Sequence, residues 1–143
     1  MEGDIGKVKE VLSNNIKIID EKDTENGYTP LHYAVEESKK DIVNELLKNR
    51  ENANITDRKE MTPIYKAVMY GNQELVRILA ESGADPNIPN INGIYPIHNA
   101  VTFGYLEIVK ILLDSKAEPR VPNHEGKTAF EVARNRIHIL VQQ

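Results

Sequence analysis

A short motif returns along this chain at a fixed interval. Thr29-Pro30-Leu31-His32, Thr62-Pro63-Ile64-Tyr65, Tyr95-Pro96-Ile97-His98 and Thr128-Ala129-Phe130-Glu131 open at 29, 62, 95 and 128, each 33 residues after the last. Alanine stays in phase at 34, 67, 100 and 133. Apolar pairs follow in phase as well: Ile42-Val43 with Leu46-Leu47, Leu75-Val76 with Leu79-Ala80, and Ile108-Val109 with Leu112-Leu113. A period of this length means a stack of similar units, each too small to bury its own apolar face and dependent on its neighbours. At 143 residues such a stack is one modest domain, which argues against a two-domain enzyme.

Each part of the unit has a mechanical reason. Threonine can satisfy free N–H groups at a helix start, and proline just inside supplies a fixed φ where no donor is needed, so a first helix (A) is predicted to begin near Pro30, Pro63 and Pro96. The small alanine lets neighbouring helices approach. Gly71 and Gly104 sit where helix A must stop in a left-handed turn. A second helix (B) carries apolar residues at i, i+1, i+4 and i+5, a stripe that faces the next unit rather than water. Between units, Asn92-Gly93 is a hairpin-type turn signal.

On these residues the chain resembles the ankyrin repeat, and the resemblance covers nearly its whole length. It implies an all-α solenoid of stacked helix-turn-helix units with β-hairpin-like fingers. The expected division is a partial N-terminal repeat over 1–23, full repeats over 24–56, 57–89 and 90–122, and a shortened C-terminal repeat over 123–143. Gly3-Asp4-Ile5 through Val11-Leu12 read as helix B of the partial unit. Relative to the 33-residue frame the first connection holds about two extra residues, within Ser13 to Asn26. At the other end Arg134-Asn135-Arg136 runs into Ile137-His138-Ile139-Leu140 without a glycine turn. The resemblance also implies that His32 and His98 bond neighbouring backbone, and Asn54 and Asn87 are expected to bridge backbone groups in their loop. In some ankyrin proteins such an asparagine is hydroxylated, but Ala53 and Pro86 precede it here, where that pattern favours Val or Ile.

Departures from the repeat are informative. The finger-turn glycine is Gly27, Gly93 and Gly126, but Glu60 in the second full unit. Ser38 replaces the glycine after helix A, and Arg50 and Lys116 replace Gly83 after helix B. A non-glycine residue held at positive φ costs about 1 kcal/mol. The first full repeat is therefore expected to be the loosest internal one.

Most chemistry lacks its minimal parts. With no cysteine, disulfides, thiolate zinc sites and cysteine nucleophiles are excluded together. The four histidines, His32, His98, His124 and His138, show no metal-ligand spacing. No nucleophile elbow, phosphate loop or dinucleotide glycine pattern occurs, and Glu36 and Glu37 are adjacent and point apart, unable to flank one substrate bond. The expectation is no enzyme and no cofactor or metal. The net charge is −4 and runs −5, −1 and +2 over residues 1–45, 46–115 and 116–143, which argues against a nucleic-acid binder. No apolar run approaches a membrane span and no secretory signal opens the chain, so a cytoplasmic protein, without membrane attachment and monomeric, is expected.

The resemblance implies a concave face lined by the fingers and helix A, where residues varying between repeats make the contacts. Mapped by phase, the candidates are Tyr28, Glu36 and Glu37 in the first full repeat, Arg58, Lys59, Met61, Met69 and Tyr70 in the second, and Ile91, Ile94 and Phe103 in the third. Tyr70 and Phe103 stand 33 residues apart and are expected to be stacked neighbours at the ends of successive A helices. The expected function is a non-catalytic protein-protein interaction module. The narrower alternatives are a stoichiometric inhibitor, resembling ankyrin-type inhibitors of kinases or Rel factors, or the targeting part of a larger effector or adaptor. A structural spacer is the distant alternative.

Overall fold

The computed structural model describes Gly6 and residues 20–49 and 52–142. The expected B helix of the partial N-terminal unit and the Arg50 turn lie outside these residues. Seven helices are seen among the described residues: α1 (Pro30–Glu36), α2 (Lys40–Lys48), α3 (Pro63–Met69), α4 (Gln73–Glu81), α5 (Pro96–Phe103), α6 (Leu106–Asp114) and α7 (Ala129–Gln142). The first six alternate short A helices, each opening on the periodic proline, with nine-residue B helices; α7 opens on Ala129 and runs for 14 residues. None is long and apolar enough to cross a membrane.

The starts follow the threonine logic. Thr29 and Thr62 each accept at Oγ1 from the backbone N–H three residues on, at 3.5 and 3.2 Å. Where Tyr95 replaces threonine it brings no short hydroxyl, and the His98 backbone N–H instead donates to the Tyr95 carbonyl at 3.0 Å. The A helices pack in series, α1 on α3, α3 on α5, α5 on α7, and α4 packs on α6 behind them. Between the rows lies one apolar core: Leu31, Ala34 and Val35 continue into Ile64, Ala67 and Val68, then Ile97 and Ala100, with Leu46, Leu79 and Leu112 from the B helices. Each buried leucine contributes about 1.5 to 3 kcal/mol.

The turn backbone keeps the repeat even where the sequence breaks it. The non-glycine residues at positive φ among those described are Ser38 (55°), Glu60 (59°) and Lys116 (69°). All three stand at glycine positions of the repeat, as their phase predicts; the matching glycines Gly71, Gly93 and Gly83 lie at 64°, 73° and 92°. The stack therefore fixes the turn and the residue conforms.

Candidate functional site

The fingers are tight turns with no strand assigned among the described residues. Each later finger is closed by one backbone bond and one side chain. Asp57 N–H donates to the Met61 carbonyl, Asn90 N–H to Ile94 and Asn123 N–H to Lys127, at 3.0, 2.9 and 2.8 Å. The Oδ1 of the same three residues accepts two backbone N–H groups of its own finger. The first finger uses Asp23 instead, one place early, and closes on Tyr28, so it holds one more residue than the others. Asp23 Oδ1 accepts four successive N–H groups, from Glu25 to Tyr28. The Tyr33 hydroxyl donates to its other oxygen. That hydroxyl first, with the backbone donors, holds the Asp23 carboxyl down to about 2. Neighbouring fingers are joined edge to edge, Arg58 N–H to the Asn26 carbonyl (3.0 Å) and Ile91 N–H to Lys59 (2.8 Å). Behind them Asn54 and Asn87 bond backbone as expected, but of the next unit's loop rather than their own, accepting from the N–H of Asp85 and Glu118 at 2.9 and 2.8 Å.

Beside the first two fingers lies a cluster that the phase map did not foresee. Lys66 on α3 is 4% exposed. Its Nζ donates to the Tyr28 hydroxyl at 2.6 Å, stands 4.3 Å from the Tyr28 ring centroid and 5.4 Å from that of Tyr70, and lies 3.8 Å from Glu36 Oε1. The Tyr70 hydroxyl donates to the same Glu36 oxygen at 3.0 Å. Burial, then Glu36, pushes the Tyr70 hydroxyl pKa up, so the phenol keeps its proton and its bond. A desolvated ammonium between two aromatic faces and a carboxylate is a strong electrostatic pairing, and it holds Tyr70 in one orientation.

The motif histidines are structural, as expected. His32 Nδ1 accepts from the Thr29 N–H (3.1 Å), leaving Nε2–H to donate to the Met61 carbonyl of the next finger (2.9 Å). His98 repeats this with the Tyr95 N–H and the Val121 carbonyl (2.9 Å). Burial is the leading cause that lowers both pKa values, favouring the neutral ring. In the second unit the histidine is Tyr65, fully buried, whose hydroxyl accepts from Asn99 Nδ2 (2.6 Å) and is pushed up to about 12 by burial.

The remaining candidates divide between surface and support. Met69, Tyr70, Ile91 and Phe103 are 37, 51, 60 and 42% exposed, while Met61, Ile94 and Tyr28 are half-buried. Glu36, Glu37, Arg58 and Lys59 are exposed. The two aromatics have different partners: Tyr70 turns to Glu36 and Lys66, and the Phe103 ring lies against Tyr105 at 5.6 Å. Farther along the same face a cavity of about 500 Å³ opens between α5, α7 and the last finger, walled by Ile94, Val132 and Ile139 and rimmed by His124, Lys127 and Arg136. Arg136 reaches across to the Val101 and Thr102 carbonyls at the end of α5. Among the described residues no group of three or more His, Asp or Glu is placed to hold a metal ion.

Two family models match the chain. One for ankyrin repeats in three copies covers residues 1–90, and one for ankyrin repeats in many copies covers residues 79–133. No curated protein matches it. With the first model alone spanning more than half of the sequence, and with helix pairs, left-handed turns and fingers repeating every 33 residues, the chain belongs to the ankyrin-repeat family.

Proposed function

We propose that the chain is a non-catalytic interaction module that binds a partner protein through the finger and helix-A face. Ankyrin repeats mediate protein-protein interaction and are typically non-catalytic. The observation that carries the reading is the group Met69, Tyr70, Ile91 and Phe103, large apolar side chains left at least a third exposed beside half-buried Met61 and Ile94. Exposed aromatic area with few rotamers to lose, ringed by polar side chains, is what an interface hot spot needs. Tyr28 and Glu36 support Tyr70 from behind, while Glu37, Arg58 and Lys59 form the polar rim.

The test is a pair of variants. Tyr70→Ala with Phe103→Ala is expected to abolish capture of a partner from the native lysate while keeping helical content and costing only about 1 kcal/mol, from the lost Glu36 bond and Lys66 contact of Tyr70. Leu112→Ala, in the core, is expected to cost about 2 to 5 kcal/mol of stability. An aromatic double variant that unfolds like the core variant refutes the assignment, as does one that stays folded and still captures the partner.

A further inference from the structure

The cavity and the Lys66 cluster occupy the same place in the repeat frame, two repeats apart. Between α1 and α3 the space is taken by Tyr28, Glu36, Lys66 and Tyr70, with Tyr33 against the Tyr28 ring and Met69 exposed on α3. The residues two repeats later are Ile94, Asn99, Thr102, Val132, Asn135 and Arg136. Nearly every one is smaller, and the largest, Arg136, is drawn away to the end of α5. The backbone frame is retained, so the lost side-chain volume becomes the cavity of about 500 Å³. Its walls are apolar, and its rim carries Lys127 and Arg136 against one carboxylate, Glu125, which pairs with Lys127 at 2.8 Å and leaves one positive charge in surplus. The rim is thus locally positive in a chain of net charge −4.

We propose that this cavity seats an apolar or aromatic side chain of an extended partner segment, with an acidic side chain of the same segment meeting Lys127, His124 and Arg136 at the rim. An apolar side chain restores the packing that Tyr28 and the Lys66 stem supply at the first junction, and a carboxylate balances the surplus rim charge. The site rests on the reading of this face as a protein-binding surface and adds the chemistry of what it takes. With packed helices about 8 to 10 Å apart and extended chain advancing about 3.3 Å per residue, Tyr70 meets a residue about four positions from the one in the cavity.

Random twelve-residue peptides displayed on phage and selected on the full chain test this, followed by anisotropy titrations of the enriched peptides. Enriched peptides are expected to share an apolar or aromatic residue with Asp or Glu beside it, and a second apolar residue about four places away. Asn135→Trp fills the cavity from its rim, where the counterpart Met69 shows that bulk is tolerated, and is expected to weaken binding about tenfold or more. Thr102→Met fills it from the opposite wall, for use if the first variant loses its fold. Lys127→Glu is expected to shift the selected neighbour from acidic to basic. Selection of nothing, selection without the apolar-acidic pair, or binding indifferent to the filling variant overturns the proposal. Peptides that bind the Tyr70→Ala, Phe103→Ala variant unchanged but fail on Asn135→Trp leave the cavity site standing and remove the aromatic patch. The reverse pattern removes the cavity site and keeps the patch.

Discussion

The α1–α3 junction and the α5–α7 junction are built on one backbone repeat and filled in opposite ways. At the first, Lys66 is buried with its stem and ammonium against Tyr28, Tyr70 and Glu36, so the finger, two helices and an aromatic surface residue are tied into one body. At the second, Val132 stands where Lys66 stands, Thr102 where Glu36 stands, and a cavity remains. The 33-residue unit specifies helix spacing and turn geometry through a few small or capping residues. It leaves the inner face free, so one junction can be locked and the other kept open for a ligand without altering the stack.

The sharpest way to break this comparison is to truncate both fillers. Lys66→Ala removes a buried four-carbon stem and leaves Glu36 and two tyrosines without their cation. It is expected to cost about 2 to 4 kcal/mol in urea unfolding. Val132→Ala at the equivalent place lines space that is already empty, and about 1 kcal/mol is expected. Equal losses would mean that the second junction is as tightly packed as the first.

The glycine turns after α3 and α5 give a second contrast. A Cβ on Gly71 would stand 2.9 Å from a ring carbon of Tyr105, a packed aromatic, whereas one on Gly104 would meet the Arg136 guanidinium at 3.2 Å, the far end of a flexible chain. Both positions have positive φ, so both alanine variants carry backbone strain. Gly71→Ala is expected to lose about 2 to 3 kcal/mol and Gly104→Ala about 1 to 2. Thermal unfolding of the two variants side by side decides it.

What was legible in the sequence was the backbone. Helix starts at Pro30, Pro63 and Pro96 and left-handed turns at Ser38, Glu60 and Lys116 follow from phase, because the stack imposes these conformations whatever side chain is present. Asp57, Asn90 and Asn123 also recur at the repeat interval and could have been read as finger caps. Asp23 could not, since the extra residue of the first finger moves it out of phase. The Lys66 cluster was illegible for a different reason. Its column reads Tyr33, Lys66, Asn99, Val132, with no periodic signal, and its meaning depends on which side chains two neighbouring units bring opposite it. The Arg136 contact with α5 was hidden likewise, because its column reads Glu37, Tyr70, Phe103, Arg136, with no periodic signal, and only the last unit brings a guanidinium to the end of the preceding A helix.

Acid titration separates groups that the two ends share from one that they do not. His32 and His98 have native pKa values below the ordinary 6.5, so the unfolded chain takes up protons first. Their contribution is complete above about 6.5 and is lost as pH falls through that value towards the native ones. Protonation would also turn Nδ1 into a donor facing the Thr29 or Tyr95 N–H. A second decline is expected between about 4 and 2 from Asp23, whose native carboxyl is held at about 2; its counterparts Asn90 and Asn123 do not titrate. Unfolding midpoints from pH 8 to 2 should therefore fall in two stages. Asp23→Asn is expected to shrink the lower stage and leave the upper one intact, the remainder of the lower stage coming from Glu131 and Glu125, whose carboxyls Thr128 and Lys127 hold below their ordinary value.

The smallest expected effect concerns the turns where the sequence resists the repeat. Glu60 is held at φ 59° and its sisters Gly27, Gly93 and Gly126 at 70 to 76°. Glu60→Gly relieves about 1 kcal/mol of strain but makes the unfolded chain freer, so a net gain of a few tenths to about 1 kcal/mol is expected in a denaturant titration. Ser38→Gly relieves the same kind of strain at φ 55° yet gives up the Oγ that accepts from Asn72 Nδ2 at 3.4 Å. Its gain should be the smaller of the two. That bond and the exposed Lys40–Glu74 pair at 2.7 Å both tie the first helix pair to the second. Ser38 can therefore offset part of its own backbone strain through contact with the next unit, whereas the Glu60 side chain makes no hydrogen bond or ion pair among the described residues. A clear loss of stability in Glu60→Gly would show that its side chain has a stabilising role that outweighs the left-handed turn. A Ser38→Gly gain equal to that of Glu60→Gly would show that the Asn72 bond contributes nothing and that strain alone sets both turns.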